Sequence, residues 1–236
     1  MCNGKICIIG HFGEGQNFLD GQTIKTKVLF NSLNKLNKFD RIETIDTYNW
    51  KSNLIKLVLM TFYAMQSCTN ILVLLSQNGM KAFFPLLYIM NLFFKRHIHH
   101  IVIGGNLASL IENHSSWKRY LQSFDGNYVE TVSMKIELEE LGLKNVIVLS
   151  NFKELKIITE GQLPKNYDKP YKLCTFSRVM KEKGIEDAID SVIRVNTEAG
   201  HVIYSLDIYG QIDSNYAGRF EKIMKEVPNY IKYEGV

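Results

Sequence analysis

Short apolar runs of strand length alternate with helical stretches along the chain, and this alternation constrains the fold more than any other feature. Residues 6–9 and 71–75 are continuous apolar runs, a pattern typical of strands that are buried on both faces of a sheet. Between them, residues 53–65 carry apolar side chains at helical spacing. Strand–helix–strand order predicts βαβ units and a mostly parallel, doubly wound sheet, so the expected fold class is α/β.

The same reading assigns boundaries along the rest of the chain. The predicted strands are 5–10, 42–47, 71–75, 98–103, 129–132, 146–149, 173–176, 204–209 and 230–233. The predicted helices are 28–36, 53–65, 82–94, 107–124, 135–141, 185–197 and 216–227. Residues 161–170 hold a glycine, two prolines and polar residues, which favours a linker. We therefore expect a Rossmann-like domain at 1–160, a linker at 161–170, and a second, incomplete Rossmann-like domain at 171–236, because three strands with two helices bury little surface.

Composition excludes several classes of protein. Four scattered cysteines form no CxxC, which argues against a zinc site or a disulfide framework and favours a reducing compartment. A net charge of +4 is too small to make nucleic acid the expected partner. No apolar run approaches the roughly 18 residues that cross a bilayer. We expect a cytoplasmic protein.

A glycine-rich loop follows the first strand. Gly13, Gly15 and Gly21 lie between this strand and the next predicted helix, with Lys25 close behind. Glycine lets the backbone approach an anion, and a helix start offers unpaired N–H groups, so the loop suits phosphate or sugar contact. It is neither GxGxxG nor a Walker A loop. The alternative is a surface loop whose glycines only turn the chain.

A second candidate segment follows the strand at 173–176. Arg178 and Lys183 precede Gly184, which opens an amphipathic helix. Ligands of open α/β folds bind at the carboxyl edge of the sheet, and two cations there suit a diphosphate. The alternative is a solvated charged turn, because Lys181, Glu182 and Glu186 lie close by.

The order of the motifs resembles that of the GT-B glycosyltransferases of bacterial polysaccharide synthesis (glycosyltransferase family 4, group 1 type), which are retaining enzymes. Phe-Ser-Arg-x-x-x-Glu-Lys-Gly-Ile-Glu-Asp at 176–187 is similar to the family's donor-phosphate segment. Five further segments agree in order and spacing, at 21–25, 76–79, 102–107, 148–151 and 206–210. The resemblance covers nearly the whole chain and implies a GT-B fold.

The resemblance also implies site residues and partners. Arg178 and Lys183 would bind the diphosphate of a nucleotide-sugar donor, and Gly13 and Gly15 would face its phosphates. The remaining candidates are Gly21, Gln22, Thr23 and Lys25 on the phosphate or acceptor loop, and Asn78, Gly79, Gly104 and Gly105 on the acceptor side. No catalytic residue is assigned. No metal or cofactor is implied, and the acceptor would be a saccharide or a lipid-linked sugar of capsule, exopolysaccharide or lipopolysaccharide synthesis.

Two departures from the family pattern affect the expected activity. Gly104 and Gly105 stand near the strand end where many members carry a histidine. The family's paired glutamates, with seven residues between them, occur only as Glu226 and Glu234, which we interpret as chance because Pro228 lies between them. We therefore expect a truncated donor domain and an inactive fragment. The alternatives are a non-catalytic remnant, an acceptor-binding half that needs a second polypeptide, and an unrelated small nucleotide-binding protein.

Residues 81–96 form a very apolar stretch between basic residues. Only Asn91 is polar between Lys81 and Lys95. The stretch suits a core helix, which is our main interpretation. The alternative is peripheral membrane contact at the inner face of the plasma membrane, with Lys95 and Arg96 at the lipid headgroups.

Overall fold

The computed structural model describes residues 4–16, 18, 20–113, 115–152, 157–159, 162 and 168–236. The chain divides into two compact units, Met1–Leu155 and Lys156–Val236. Within the predicted linker 161–170, residues 161 and 163–167 lie outside the described residues.

The elements of the first unit alternate between strand and helix. Its strands are β1 (Ile6–Gly10), β2 (Ile42–Asp46), β3 (Asn70–Leu74), β4 (His97–Ile101), β5 (Gly126–Val129) and β6 (Val146–Val148). Its helices are α1 (Gly21–Lys35), α2 (Leu54–Ser67), α3 (Gln77–Phe94), α4 (Leu107–Asn113), α5 (Ser115–Gln122) and α6 (Val132–Glu140).

The strand order of the first unit creates a crevice. Within its described residues, six parallel strands form one sheet in the order β2-β1-β3-β4-β5-β6. The chain moves outward from β1 to β2 and then returns to continue on the other side of β1. The connections after β1 and β3 therefore diverge, which opens a crevice at their carboxyl ends.

Helices cover both faces of this sheet. On one face α2 to α6 pack against the strands, with Phe83, Phe84 and Leu87 of α3 fully buried. On the other face Leu29 and Leu33 of α1 pack against the sheet. Full burial of each large apolar side chain contributes about 1.5–3 kcal/mol. The α/β class and the parallel sheet agree with the prediction, and the predicted helix at 81–96 is largely a core helix.

Several predicted boundaries in the first unit were wrong. The helices predicted to begin at 28, 82 and 135 begin at Gly21, Gln77 and Val132. The strand predicted at 129–132 is β5, Gly126–Val129, and the helix predicted at 107–124 is two helices, α4 and α5. Gly126 and Asn127 read as turn residues, yet Asn127 is buried and its amide donates to the Leu121 carbonyl at 2.9 Å. A satisfied polar side chain thus occupies a core strand position.

His100 is a fully buried histidine on β4. Its Nδ1 lies 3.2 Å from Asn127 Oδ1, and its ring packs against Phe84 and Phe124. Burial lowers the pKa of His100 to about 4, the Lys25 charge acts in the same direction, and the Asn127 hydrogen bond opposes both. The ring is therefore neutral in the folded protein at neutral pH.

This burial predicts a loss of stability in mild acid. The unfolded chain takes up a proton at His100 near pH 6.5, whereas the folded chain does so near pH 4. The stability that the folded protein gains from keeping His100 neutral is fully present above pH 6.5. It is lost as the pH falls from 6.5 towards 4, so the free energy of unfolding drops by about 2 kcal/mol between pH 7 and pH 5. Urea unfolding at the two pH values measures it. His100→Leu should remove this share of the pH dependence, and the exposed His201→Gln should not. An equal drop in the free energy of unfolding between pH 7 and pH 5 in the parent and both variants would contradict the prediction.

The second unit is a smaller parallel sheet. Its elements are β7 (Tyr171–Phe176), α7 (Ile185–Ala199), β8 (Tyr204–Tyr209), α8 (Ala217–Glu226) and β9 (Ile231–Gly235), with a 3₁₀ turn at Lys181–Lys183 before α7. In its described residues the strand order is β7-β8-β9. Both helices pack on the face that carries Leu206 and Ile208. On β7, the Phe176 side chain is 84% exposed.

Candidate functional site

A cavity of about 570 Å³ lies in the crevice of the first unit. It opens where the chain leaves β1, β2 and β3. Its lining combines aromatic, hydroxyl, amide and charged side chains, which are His11, Phe18, Asp20, Gln22, Thr47, Tyr48, Asn49, Trp50, Lys51, Ser52, Ser76 and Asn78. Cavities of this size hold small ligands.

Asp46, the last residue of β2, holds the loops that line this cavity. Its carboxylate accepts hydrogen bonds from the backbone N–H groups of Phe12 at 2.9 Å, Glu14 at 2.8 Å and Tyr48 at 2.9 Å. Hydrogen bonds to an ionised acceptor are stronger than neutral ones. A side chain on a strand therefore fixes both the glycine-rich loop and the loop after β2.

Gly13 is required by the shape of the glycine-rich loop. Its φ is +66°, and a Cβ at this position would lie 2.4 Å from the Phe18 ring. Only glycine accepts this conformation and this contact without strain. Gly15 also has a positive φ, whereas Gly21 is the first residue of α1, and added Cβ atoms at both positions would meet open space.

A chain of hydrogen bonds joins His11 to the start of α1. Asp20 is the N-cap of α1 and accepts from the Thr23 N–H at 3.0 Å, while the Thr23 hydroxyl donates to its other oxygen at 2.7 Å. His11 Nδ1 lies 2.6 Å from that hydroxyl oxygen. Because the single hydroxyl proton goes to Asp20, Nδ1 must be the donor to Thr23. The Nε2 atom of a neutral His11 is then the acceptor, so it can accept a hydrogen bond or a proton from a ligand hydroxyl.

Electrostatics keep the Asp20 end of this chain ionised. Partial burial raises the pKa of Asp20, but the hydrogen bonds from Thr23 and the nearby His11 outweigh it and hold that pKa below its usual range. The His11 ring packs edge-on against Phe18 and Tyr48, with centroid distances of 5.2 and 5.7 Å. Ring contacts and the hydrogen bond together fix the orientation of the imidazole.

The predicted residues of the first unit divide between this cavity and its surroundings. Gln22 and Asn78 line the cavity, and Thr23 is bonded to His11. Gly79 lies inside α3, where a Cβ would meet Leu75 at 3.3 Å. Gly104 and Gly105 are exposed on the loop after β4, at the same edge of the sheet.

Lys25 is buried although it carries a charge. Its side chain is 5% exposed, and Nζ donates to Glu130 Oε1 at 2.6 Å and to the Val102 carbonyl at 3.2 Å. These bonds join α1 to the segments that follow β4 and β5. Lys25 thus ties neighbouring loops together at the carboxyl edge, and a direct contact with phosphate would require it to leave Glu130.

Sequence reasoning missed the side chains that organise the cavity. His11 and Asp46 were not among the predicted site residues, although each stands at the carboxyl end of a predicted strand. That position was the available signal, because the carboxyl ends of parallel strands meet at one edge. Asp20 was also missed, although an aspartate followed by a helix start is a capping signal.

In the second unit, Arg178 and Lys183 lie on the segment between β7 and α7. Both side chains are exposed, and Arg178 Nη1 is 3.8 Å from Asp213 Oδ2. Lys183 ends the 3₁₀ turn, and Gly184 follows it with a φ of +68° as the N-cap of α7. The cations therefore lie at the carboxyl edge of this sheet, beside a helix N-terminus.

Glu186, in the first turn of α7, stabilises the same segment. Its carboxylate accepts from Arg219 Nε at 2.8 Å and from the Tyr216 hydroxyl at 2.9 Å. The Arg219 guanidinium lowers the pKa of Glu186 to about 2, and the Tyr216 hydroxyl adds to the effect. Glu186 is thus committed to holding α7 against the start of α8, and the carboxylate that faces Arg178 is Asp213 instead.

The described residues contain neither a metal-binding cluster nor a membrane-spanning helix. These residues contain no cluster of three or more His, Cys, Asp or Glu side chains that could hold a metal ion. None of the helices in the described part of the chain combines the length and the apolar character needed to span a membrane.

Comparison with known proteins identifies the fold. No protein-family model matches the sequence, and no curated protein matches it. Solved structures do match. HepE of Anabaena, solved with UDP and glucose, is 12% identical, with 98% of this chain and 69% of HepE covered and a TM-score of 0.60. The lipopolysaccharide outer core galactosyltransferase WaaB is 14% identical, with 98% and 68% covered and a TM-score of 0.62.

A third neighbour covers less of both chains. TarM is 14% identical, with 76% of this chain and 36% of TarM covered and a TM-score of 0.55. Identities this low show a shared fold. The fold is therefore α/β with parallel sheets, of the GT-B type seen in these glycosyltransferases, and the predicted fold class is confirmed.

Proposed function

We propose that the protein is a glycosyltransferase that moves a sugar from a nucleotide-diphospho-sugar to a saccharide or lipid-linked acceptor. Support comes from its fold neighbours: HepE binds UDP and glucose in its solved structure, and WaaB is a galactosyltransferase of the lipopolysaccharide outer core. We assign the reaction to capsule, exopolysaccharide or lipopolysaccharide synthesis. Retention of anomeric configuration remains part of the proposal.

The observation that carries the proposal is the cation pair of the second unit. Arg178 and Lys183 are exposed at the carboxyl edge of the sheet, and the nearest carboxylate to Arg178 is 3.8 Å away. That distance is too long for a strong charge-assisted hydrogen bond. The Arg178 guanidinium is thus available to a diphosphate, and both cations would stabilise the charge that develops on the departing nucleoside diphosphate.

The cavity of the first unit suits the acceptor sugar. Tyr48 and Trp50 offer ring surfaces, Gln22 and Asn78 offer amides, and His11 offers an oriented imidazole. The Nε2 atom of neutral His11 would accept the hydrogen bond of an acceptor hydroxyl and orient it. Gly13 and Gly15 would keep the loop backbone close to the ligand.

A second candidate function is ligand binding without transfer. The observation that favours it is the sheet of the second unit, whose edge strand β7 carries Cys174 and Phe176 as exposed side chains. In a doubly wound sheet both faces are covered. An acceptor-binding half that works with a second polypeptide would have such a surface.

Calorimetric titration with UDP, GDP and ADP tests the donor assignment. We expect one nucleoside diphosphate to bind, and Arg178→Ala to weaken it by about 10- to 100-fold, because two charge-assisted hydrogen bonds are lost. Arg194→Ala, an exposed arginine of α7, is the matched control and should bind as the parent does. Unchanged affinity in Arg178→Ala would remove the assignment.

Release of the nucleotide from a sugar donor separates the two candidate functions. Binding with transfer or donor hydrolysis by the purified 236-residue chain would establish the enzyme. Binding without turnover would favour the binding half. No binding of any nucleoside diphosphate would contradict the donor assignment and leave only the acceptor-binding half.

A further inference from the structure

Strand β7 forms one edge of the second sheet. In the described residues the strand order is β7-β8-β9, so β7 is hydrogen-bonded to β8 alone. Its residues pair with β8 in an unbroken register, from Tyr171 opposite Tyr204 to Phe176 opposite Tyr209. A regular edge whose backbone groups have no partner is a template for another strand. The outer side of β7 is therefore a candidate interaction surface.

Three residues of β7 direct their backbone groups to this outer side. The N–H groups of Tyr171 and Ser177 donate towards β8, at 2.8 and 3.3 Å. Because the residues of a parallel strand alternate between its two sides, the groups of Lys172, Cys174 and Phe176 point away from β8. No hydrogen bond within the described residues reaches the N–H or C=O groups of these three residues.

Two apolar side chains at this edge are exposed. Phe176 is 84% exposed and lies beside Tyr209, with ring centroids 6.3 Å apart. Leu173 is 41% exposed and lies opposite Leu206, on the face that carries the helices. Edges that stay in water are blunted by charges, proline or a bulge. Strand β7 has one charged residue, Lys172, and neither proline nor a bulge, so its edge is poorly protected against another strand.

The outward backbone groups of β7 are complementary to themselves. In an antiparallel pair centred on Cys174, this residue faces its own counterpart, and Lys172 of each copy faces Phe176 of the other. Each outward residue then meets an outward residue, so the three N–H groups of one copy meet three carbonyls of the other. A two-fold axis relates the copies, and the assembly closes at two chains.

The side chains fit the same register. The residue that meets its own counterpart, Cys174, is small and uncharged. The stem of Lys172 would cover the Phe176 ring of the other copy, with its ammonium near the ring pair that Phe176 forms with Tyr209. On the helix face, the two Leu173 side chains would be diagonal neighbours about 7–8 Å apart. A parallel pair in register would instead place lysine against lysine, which is unfavourable.

We infer that two copies of this chain associate through their β7 edges, as an antiparallel pair centred on Cys174. The two sheets of the second units then join into one continuous sheet, and both exposed apolar side chains of each edge are covered. The face without helices carries Ser205, Asp207, Lys232 and Glu234, and such a polar face can stay in water. The inference goes beyond both candidate functions and does not depend on sugar transfer.

Sedimentation equilibrium of the full 236-residue chain, without any nucleotide, tests this inference. We expect a reversible dimer. Cys174→Pro removes the central outward N–H and none of the hydrogen bonds to β8, so it should weaken dimerisation at least tenfold. Cys174→Ser is the matched control, because it keeps that N–H, and it should dimerise as the parent does. Circular dichroism confirms that each variant is folded.

A second pair of variants tests the register. Phe176→Lys would place an ammonium opposite Lys172 of the other copy, whereas Phe176→Glu would place a carboxylate there. Phe176→Glu should therefore dimerise at least tenfold more tightly than Phe176→Lys at low salt, and high salt should reduce the difference.

Cross-linking with a short bismaleimide locates the contact. In a Cys2→Ser background the two Cys174 Cα atoms would lie about 5.5 Å apart, and the other two cysteines, Cys7 and Cys68, are buried. The dimer should be linked in this background and not after a further Cys174→Ser substitution.

Three results would overturn the inference. The first is a parent chain that stays monomeric at every concentration. The second is a dimer that Cys174→Pro leaves intact, because the contact would then lie elsewhere. The third is equal dimerisation of Phe176→Lys and Phe176→Glu at low salt, because Lys172 would then not face position 176 of the other copy.

Discussion

Replacement of Gly210 by alanine is expected to lower the free energy of unfolding of the second unit by about 4 kcal/mol. Gly210 follows β8 with a φ of +133°, and a Cβ there would lie 1.8 Å from the Ser177 carbonyl oxygen. That oxygen belongs to the backbone, so the strand ends must separate. Because Ser177 precedes Arg178, binding of a nucleoside diphosphate should be lost as well.

Hydrogen exchange of the β8 amides measures this effect, because β8 is the central strand of its sheet. Gly218→Ala is the matched control in the same unit. An added Cβ at Gly218 meets nothing within 4 Å, and alanine in a helix is favoured over glycine by up to about 1 kcal/mol. The two substitutions should therefore act in opposite directions. Similar protection of β8 in Gly210→Ala and the parent would show that the carboxyl edge is less constrained than its geometry indicates.

Lys25→Met is expected to destabilise the first unit by about 3 kcal/mol. The substitution keeps the length of the buried stem but leaves Glu130 and the Val102 carbonyl without the ammonium that bonds them. The estimate lies at the low end for a broken buried pair because Glu130 is 29% exposed and can recover water.

Urea unfolding of the single and double variants measures the pair. Lys27→Met, on the same helix, should change the free energy of unfolding by less than about 0.5 kcal/mol. Glu130→Gln in the Lys25→Met background should recover part of the loss, because the uncompensated charge is gone. If the losses in the free energy of unfolding from Lys25→Met and Glu130→Gln simply add in the double variant, the interaction between Lys25 and Glu130 contributes nothing to stability.

The fold could be predicted from the sequence because its signals are local. Apolar runs such as 71–75 and helical spacing such as 53–65 are visible without knowledge of the partners, and both correspond to elements of the structure. Strand β5 was misplaced because the buried Asn127 amide depends on two hydrogen-bond partners, His100 on β4, which is 27 residues away, and the Leu121 carbonyl at the end of α5. A polar residue in a core strand is predictable only when its hydrogen-bond partners are known.

The candidate site was predictable only in outline. The glycine loop and the segment with Arg178 and Lys183 stand out as strand ends followed by helix starts. The hydrogen bonds that connect His11 through Thr23 to Asp20 depend on the capping geometry of α1. The hydrogen bonds of Asp46 to the two loops depend on the pairing of β2 with β1. The contacts of Asp46 arise from strand order, which a sequence pattern does not specify.

The hydrogen bonds of Asp46 have a kinetic consequence. Ordering a backbone residue costs about 1–2 kcal/mol of conformational entropy. For the two loops this cost is met during folding and not on ligand binding, because the Asp46 side chain already holds three of their N–H groups. A ligand that enters the cavity meets walls already in position and does not wait for them to rearrange. Encounter by diffusion would then set the association rate.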